Sequence, residues 1–258
     1  MSILELQFQL VDCTVLRGSC GVPALGMEGW KMSVPPIGKL LLAGLAGYTA
    51  TSLLSGRDQT VRRVFFSFHY QRDIWRVNQV RNHWIAKDDR QAAGYFDGSL
   101  WEAAQTLGKA RVKRIIDDGL TGSSVTCVLI GAETYTRHWV DYEIFRSIEL
   151  GKGVFGVRIH GLKNRDGVTD SWGANPFDFL GYGTDQRYPD MMVPYAKYRE
   201  GWKVYEEADP ISPGAAPYLQ PNSKPILSSL FRVYDWVADN GYLNFPEWVR
   251  AAAQQAGR

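Results

Sequence analysis

The chain has 258 residues, 45% hydrophobic and 22% charged, and this composition excludes a disordered, collagen-like or coiled-coil protein. Its 29 basic and 27 acidic residues give a net charge of only +2, so the strong positive field of a nucleic-acid-binding protein is absent. Three cysteines, Cys13, Cys20 and Cys127, cannot form a full disulfide framework, and no nearby histidine completes a zinc pattern. We therefore predict a cytoplasmic protein that does not bind nucleic acid.

Residues 1–61 differ from the rest of the chain, and we interpret them as an N-terminal extension to a domain spanning residues 62–258. Within the extension, residues 37–54 are apolar apart from Lys39 and a few hydroxyl side chains. Eighteen residues lie at the short limit of a membrane span, and Gly44 and Gly47 weaken the pattern. Two interpretations stay open: a loosely packed extension, or a segment that contacts a membrane.

From residue 62 onwards, short apolar runs alternate with segments of helical periodicity. The predicted strands are Val64–Phe68, Ser124–Ile130 and Val154–Ile159, with a short extended piece at Tyr95–Asp97. The predicted helices are Asp73–Ile85, Leu100–Asp117 and Arg137–Leu150, the last one ending at Gly151. This alternation predicts an α/β fold with a parallel sheet and helices on both of its faces.

The C-terminal third does not continue the alternation of predicted strands and helices. Residues 161–222 are rich in Gly, Pro, Asp and aromatic residues, which predicts mostly loops, with one strand at Trp202–Tyr205. Two C-terminal helices are predicted within residues 226–256, one over Ile226–Ala238 and one over Pro246–Ala256.

Several motifs of known chemistry are missing or misplaced. The pattern G-x-G-x-x-G occurs at Gly151, Gly153 and Gly156, but a predicted helix precedes it and a strand follows, the reverse of the order in a dinucleotide-binding fingerprint. We interpret it as a helix stop followed by a tight loop. The sequence has no Walker A motif, and its four histidines do not show a metal-binding spacing. We therefore predict no metal site.

In an open parallel sheet, ligands bind outside the carboxyl ends of the strands. The helix after the second buried strand carries Trp139 and Glu143 four residues apart, on one helix face near that edge. A carboxylate beside an indole can be desolvated and suited to catalysis. The alternative is a surface glutamate paired with Arg146 or Lys152.

Seven sequence blocks together resemble the TIR-like proteins of the Thoeris anti-phage system, the ThsB family. They are RVFFSFHY (63–70), VRNHW (80–84), YFDGSLWE (95–102), SVTCVLIG (124–131), WVDYEI (139–144), NPFDFLGY (175–182) and YDWVADNGY (234–242). The resemblance covers about residues 62–258 and implies a TIR-type, flavodoxin-like fold.

The resemblance also implies an activity: cleavage of the nicotinamide–ribose bond of NAD⁺, an activity of the hydrolase class, with formation of a cyclic ADP-ribose-type signal. That signal would activate a separate SIR2-type effector. NAD⁺ would then be a substrate, so no cofactor is expected. The family's catalytic glutamate corresponds to Glu143. The implied substrate-binding residues are Phe68, His69, Tyr70, Asp97, Trp101 and Trp139.

Two other functions remain open on the sequence. The first is a non-catalytic scaffold that acts by self-association, since TIR domains often assemble into homo-oligomers and aromatic surfaces suit interfaces. The second is a flavodoxin-like module such as a phosphate-signal receiver, which would need a clustered acidic pocket. The sequence offers only Asp73 and Asp97, scattered near the strand ends.

Overall fold

A computed structural model describes residues 62–86, 90–93, 108–220 and 223–258. The predicted extension 1–61 with its apolar segment 37–54, and the predicted piece Tyr95–Asp97, lie outside the described residues. Among the helices that the structure describes, none has the length and apolar character needed to cross a bilayer.

Five parallel strands form the central sheet. Numbered along the chain, they are β1 (Arg62–Phe68), β2 (Arg90–Ala93), β3 (Val125–Ile130), β4 (Gly153–Arg158) and β8 (Val233–Asp235). Their spatial order is β2-β1-β3-β4-β8, and the register places Cys127 of β3 opposite Phe66 and Phe155. All six residues of β3 are buried, which explains why five of them are apolar and the sixth is Thr126.

Helices cover both faces of this sheet, as predicted. On one face, α1 (Tyr70–Ile85) and α4 (Gly241–Gln255) pack their apolar side chains against Val64 and Phe66. On the other face, α2 (Lys109–Leu120) and α3 (His138–Glu149) pack against Phe65. Successive residues of β1 therefore point to opposite faces, and the α/β prediction is confirmed.

The prediction of mostly loops with one strand over residues 161–222 missed two strands. This region contains a three-stranded antiparallel sheet, β5 (Leu180–Asp185), β6 (Tyr188–Tyr198) and β7 (Gly201–Val204), of which only β7 was expected. Gly183 lies within β5 and Pro194 within β6. Both residue types are common in turns, so the sequence favours a loop at these positions. In the sheet the ring of Tyr195 lies against Gly183 and covers it, which offsets the missing side chain.

The predicted helix Ile226–Ala238 is also wrong. The segment forms a single 3₁₀ turn over Leu227–Ser229 and then strand β8. The backbone of β8 pairs with β4: Gly156 N donates to Arg232 O, and Trp236 N donates to Arg158 O. In this segment, hydrogen bonding to a strand distant in the sequence outweighs the local preference for a helix.

Two helix boundaries need correction. The predicted helix Leu100–Asp117 cannot run through Gly108, whose φ of +92° is not helical, so α2 begins at Lys109 and continues to Leu120. Residues 100–107 lie outside the described residues. The last helix begins at Gly241, five residues before Pro246, which therefore lies inside α4 and not at its first turn.

The glycine motif behaves as predicted. Helix α3 precedes Gly151, whose φ of +61° belongs to the left-handed region, and β4 follows from Gly153. A left-handed residue after the last helical turn is a common helix stop. The motif therefore has the opposite order to a dinucleotide-binding loop.

The antiparallel sheet covers the side of α3 that faces away from the central sheet. The ring of Phe145 packs against Tyr182 and Tyr205, with centroids 5.6 and 5.1 Å apart. Tyr205 is buried, and its hydroxyl donates to the carbonyl of His138 at the start of α3. Helix α3 is thus held between two sheets.

We expect Tyr205→Phe to lower the free energy of unfolding by about 1 kcal/mol, because the hydrogen bond from the buried tyrosine to the carbonyl of His138 is lost while the packing remains. Chemical denaturation monitored by circular dichroism measures the change. The matched control is Tyr188→Phe, which removes the hydroxyl of an exposed tyrosine and should leave stability within about 0.5 kcal/mol. Equal effects of the two variants would contradict this account of the Tyr205 hydroxyl.

Candidate active site

The carboxyl end of β1 brings three of the predicted substrate-binding residues together. Phe68 is the last residue of the strand, His69 caps α1, and Tyr70 is its first residue. The rings of Phe68 and Tyr70 lie 6.1 Å apart and are both half-buried. His69 is buried. Burial lowers the pKa of its imidazole, Arg137 and Arg72 lower it further, and Glu133 opposes them, so the net shift favours the neutral ring.

Glu143 lies on the side of α3 that faces the central sheet, and only 7% of the residue is exposed. Its Oε2 accepts a hydrogen bond from the hydroxyl of Ser67, a fully buried residue near the carboxyl end of β1, at 2.5 Å. Burial raises the pKa of the Glu143 carboxyl to about 8, and the Ser67 hydrogen bond opposes this rise. The Ser67 contact brings Glu143 to the strand end that precedes His69.

The alternative of a surface glutamate paired with a cation is wrong. Arg146 binds Asp117 at 2.8 Å and Glu149 at 2.5 Å, and the ammonium of Lys152 donates to the carbonyl of Ser123. No Lys, Arg or His within the described ranges forms an ion pair with Glu143. Burial of a carboxyl without a counter-charge lowers the stability of the fold. Its presence here therefore indicates a functional role.

Trp139 lies one helical turn before Glu143 and is half-buried. Its ring makes edge contacts with His138 at 4.9 Å and with Tyr142 at 6.1 Å. Of the other predicted site residues, Asp97 and Trp101 lie outside the described residues.

A polar cluster at the same sheet edge was not predicted from the sequence. The guanidinium of Arg72 binds Asp170 with two hydrogen bonds of 2.9 Å and Glu133 with one of 2.7 Å. Glu133 also binds Arg137, which caps α3. These contacts join the loops after β3 and β4 to the start of α1, and so fix the shape of the edge.

Asp73 lies beneath this cluster and is fully buried. Burial raises the pKa of its carboxyl to about 6, while Arg76, 3.6 Å away, lowers it. A side chain at Gly131 would collide with the buried Asp73 carboxylate, so glycine at the first position after β3 allows the two elements to pack without moving that carboxylate. Asp97, the other aspartate considered for the acidic pocket of a phosphate receiver, lies outside the described residues. Nowhere in the described part of the chain do three His, Cys, Asp or Glu side chains converge as a metal site.

Comparisons with known proteins agree with this architecture. The sequence profile of "Thoeris protein ThsB, TIR-like domain" matches residues 65–164. A protein of Bacillus cereus (strain MSX-D12) named "Putative cyclic ADP-D-ribose synthase ThsB1" is 46% identical over 190 residues, which are 73% of this chain and 98% of that protein.

The chain belongs to the ThsB family of TIR-like proteins. The matched profile spans β1 to β4 and therefore contains Ser67, Trp139 and Glu143. It ends before the antiparallel sheet begins. The candidate catalytic carboxyl of Glu143 thus lies on helix α3, within the part of the chain that matches the TIR-like domain.

Proposed function

We propose that this ThsB-family protein cleaves the nicotinamide–ribose bond of NAD⁺ and converts the remainder into a cyclic ADP-ribose-type signal. The observation that carries the proposal is the buried carboxyl of Glu143, which lies near the carboxyl end of β1 and forms no ion pair with any described residue. The printed name of the Bacillus cereus relative, a cyclic ADP-D-ribose synthase, supports the same chemistry.

The reaction requires little acid–base chemistry. The bond between ribose C1′ and the nicotinamide nitrogen breaks, and its electron pair neutralises the cationic ring as nicotinamide leaves. An oxocarbenium-like centre develops on the ribose, and a carboxylate close to it stabilises that charge. We assign this role to the ionised form of Glu143.

Cyclisation needs an internal nucleophile in place of water. A nucleophilic atom of the ADP portion attacks C1′, forms the new bond and releases a proton. Exclusion of water favours this outcome over hydrolysis to ADP-ribose. We assign the exclusion of water and the stacking of the substrate rings to Trp139 and Trp101, and contacts with the nucleotide to Phe68, His69, Tyr70 and Asp97. NAD⁺ is the substrate, and the proposal requires no cofactor.

The product would act on a partner. We propose that it diffuses to a separate SIR2-type effector in the cytoplasm and activates it as part of anti-phage defence. Homo-oligomerisation of the TIR-like domain would complete or regulate the site.

Nucleotide analysis of phage-challenged cells tests this function. We expect NAD⁺ loss and a product one water lighter than ADP-ribose in cells with the native chain, detected by mass spectrometry. Cells with Glu143→Gln should show neither change. A folded and expressed native chain that gives no product under challenge would contradict the proposal.

A second candidate is a non-catalytic scaffold that acts by self-association. Large apolar side chains on the described surface favour it, among them Trp172, 64% exposed, and Leu243, 72% exposed. On this alternative, defence would survive Glu143→Gln and fail after substitution of these surface residues.

A further inference from the structure

Ser67 is the one polar residue in the apolar run of β1 that follows Arg63. It lies on the same strand face as Phe65, the face covered by α3, and it is fully buried. A hydroxyl in such a place costs stability unless it has a hydrogen-bond partner, and its partner is Oε2 of Glu143. Glu143, 76 residues later in the chain, thus supplies the hydrogen-bond acceptor for the buried Ser67 hydroxyl.

The two oxygens of the Glu143 carboxyl have different surroundings. Oε2 is held by the Ser67 hydroxyl, whereas none of the described residues donates a hydrogen bond to Oε1. Among the described residues, the hydrogen bond that fixes the carboxyl is therefore made to Oε2 and not to Oε1.

A second hydroxyl pair holds the backbone at the same point of α3. The hydroxyl of Ser147 donates to the carbonyl of Glu143 at 2.6 Å. Because this uses the single Ser147 proton, the hydroxyl of Thr126 on β3 must be the donor in its 2.7 Å contact with Ser147. Thr126 offers a matched control, since it is a buried hydroxyl that does not touch the Glu143 carboxyl.

We propose that Ser67 is a positioning residue for NAD⁺ cleavage: it fixes Oε2 of Glu143 and so orients Oε1 towards the reacting ribose. This inference rests on the proposed function. Without the hydroxyl, the carboxyl would sample other rotamers, and a displacement of about 1 Å at a reacting group can cost about 100-fold in rate.

Ser67 also affects the charge of Glu143. Its hydrogen bond favours the ionised carboxyl and lowers the pKa, against the rise caused by burial. Loss of the hydroxyl therefore moves the ionisation of Glu143 to higher pH, so a smaller fraction is ionised at neutral pH.

The test compares the pH dependence of kcat/KM for NAD⁺ among the native chain, Ser67→Ala, Ser67→Thr and Thr126→Val. We expect the native rate to rise with pH through a midpoint near 8, where Glu143 ionises. Ser67→Ala should move this midpoint upwards by about one pH unit and lower the rate at pH 7 about tenfold or more. Ser67→Thr, which keeps a hydroxyl, should restore most of both.

Thr126→Val controls for the loss of a buried hydroxyl. It should lower thermal stability but leave the pH midpoint in place, because its hydroxyl lies in the other pair. If Ser67→Ala and Thr126→Val shift the midpoint equally, or neither shifts it, Ser67 has only a structural role and the inference is wrong.

A second measurement does not need turnover. The pH dependence of thermal unfolding, taken with and without Glu143→Gln, reports the ionisation of Glu143 directly. If the native chain leaves NAD⁺ intact while Ser67→Ala shifts the unfolding profile, the proposed function is wrong and the positioning role falls with it. If NAD⁺ is cleaved and neither profile shifts, the positioning role alone is wrong.

Discussion

Glu143→Gln is expected to lower the turnover of NAD⁺ by about 10³-fold or more, because the amide keeps the shape of the side chain but removes its negative charge. Loss of one group that stabilises developing charge costs about 10²–10³-fold in kcat. Here the only carboxylate assigned to the ribose is removed. The release of nicotinamide by the purified protein, measured by chromatography at pH 8.5, gives the rate.

Glu149→Gln is the matched control for this prediction. Glu149 lies on the same helix, pairs with Arg146 and takes no part in the proposed site. It should keep turnover within about twofold of the native rate. If Glu143→Gln retained a rate comparable to that of the native chain, the carboxyl would not be catalytic, and the result would favour the scaffold function.

The same Glu143→Gln variant is expected to be more stable than the native chain at alkaline pH. Burial raises the pKa of Glu143 from its ordinary 4.5 to about 8, so the folded state favours the protonated carboxyl. Between pH 4.5 and 8 the unfolded chain loses this proton first, and the free energy of unfolding falls as pH rises. Each unit of pKa shift is worth about 1.4 kcal/mol.

A rise in pKa from 4.5 to about 8 corresponds to at most about 5 kcal/mol. We therefore expect Glu143→Gln to raise the free energy of unfolding by several kcal/mol at pH 8.5 and to change it little at pH 4.5, where the native carboxyl is protonated. Denaturant unfolding at both pH values measures the difference. A variant less stable than the native chain at pH 8.5 would mean that the ionised carboxyl supports the fold, which would contradict its assignment to function.

Parts of the fold could be predicted from the sequence because the local hydrophobic pattern there matches the burial of the residues in the structure. Residues 124–130 are apolar apart from Ser124 and Thr126, as expected of a central strand that is buried between two helical layers. The helices on both faces likewise carry apolar stripes that match their covered sides.

Other parts depend on contacts between distant residues. Tyr234 lies in a stripe that indicates a helix, yet its ring stacks on Trp248 at 4.3 Å from within strand β8. The antiparallel sheet was missed because Gly183 and Pro194 look like turn residues until Tyr195 and the neighbouring strands surround them. Such long-range partners override local preference.

The residues of the candidate site likewise include some that the sequence predicts and some that only contacts between distant segments identify. Glu143 was found through its spacing from Trp139 and through the resemblance, and its assignment stays a prediction. Ser67 gave a weak signal, a lone hydroxyl in an apolar strand, but its partner could not be identified before α3 was placed against β1. The edge cluster around Arg72 was missed because its acidic partners, Glu133 and Asp170, come from two separate loops.

Incubation of the purified native chain with NAD⁺ in ¹⁸O-labelled water tests the central claim most directly. Hydrolysis places one labelled oxygen on ADP-ribose, whereas cyclisation gives an unlabelled product one water lighter. We predict that the unlabelled cyclic product and free nicotinamide form in equal amounts, and that both disappear with Glu143→Gln. Labelled ADP-ribose as the main product, or intact NAD⁺ with a folded native chain, would contradict the account.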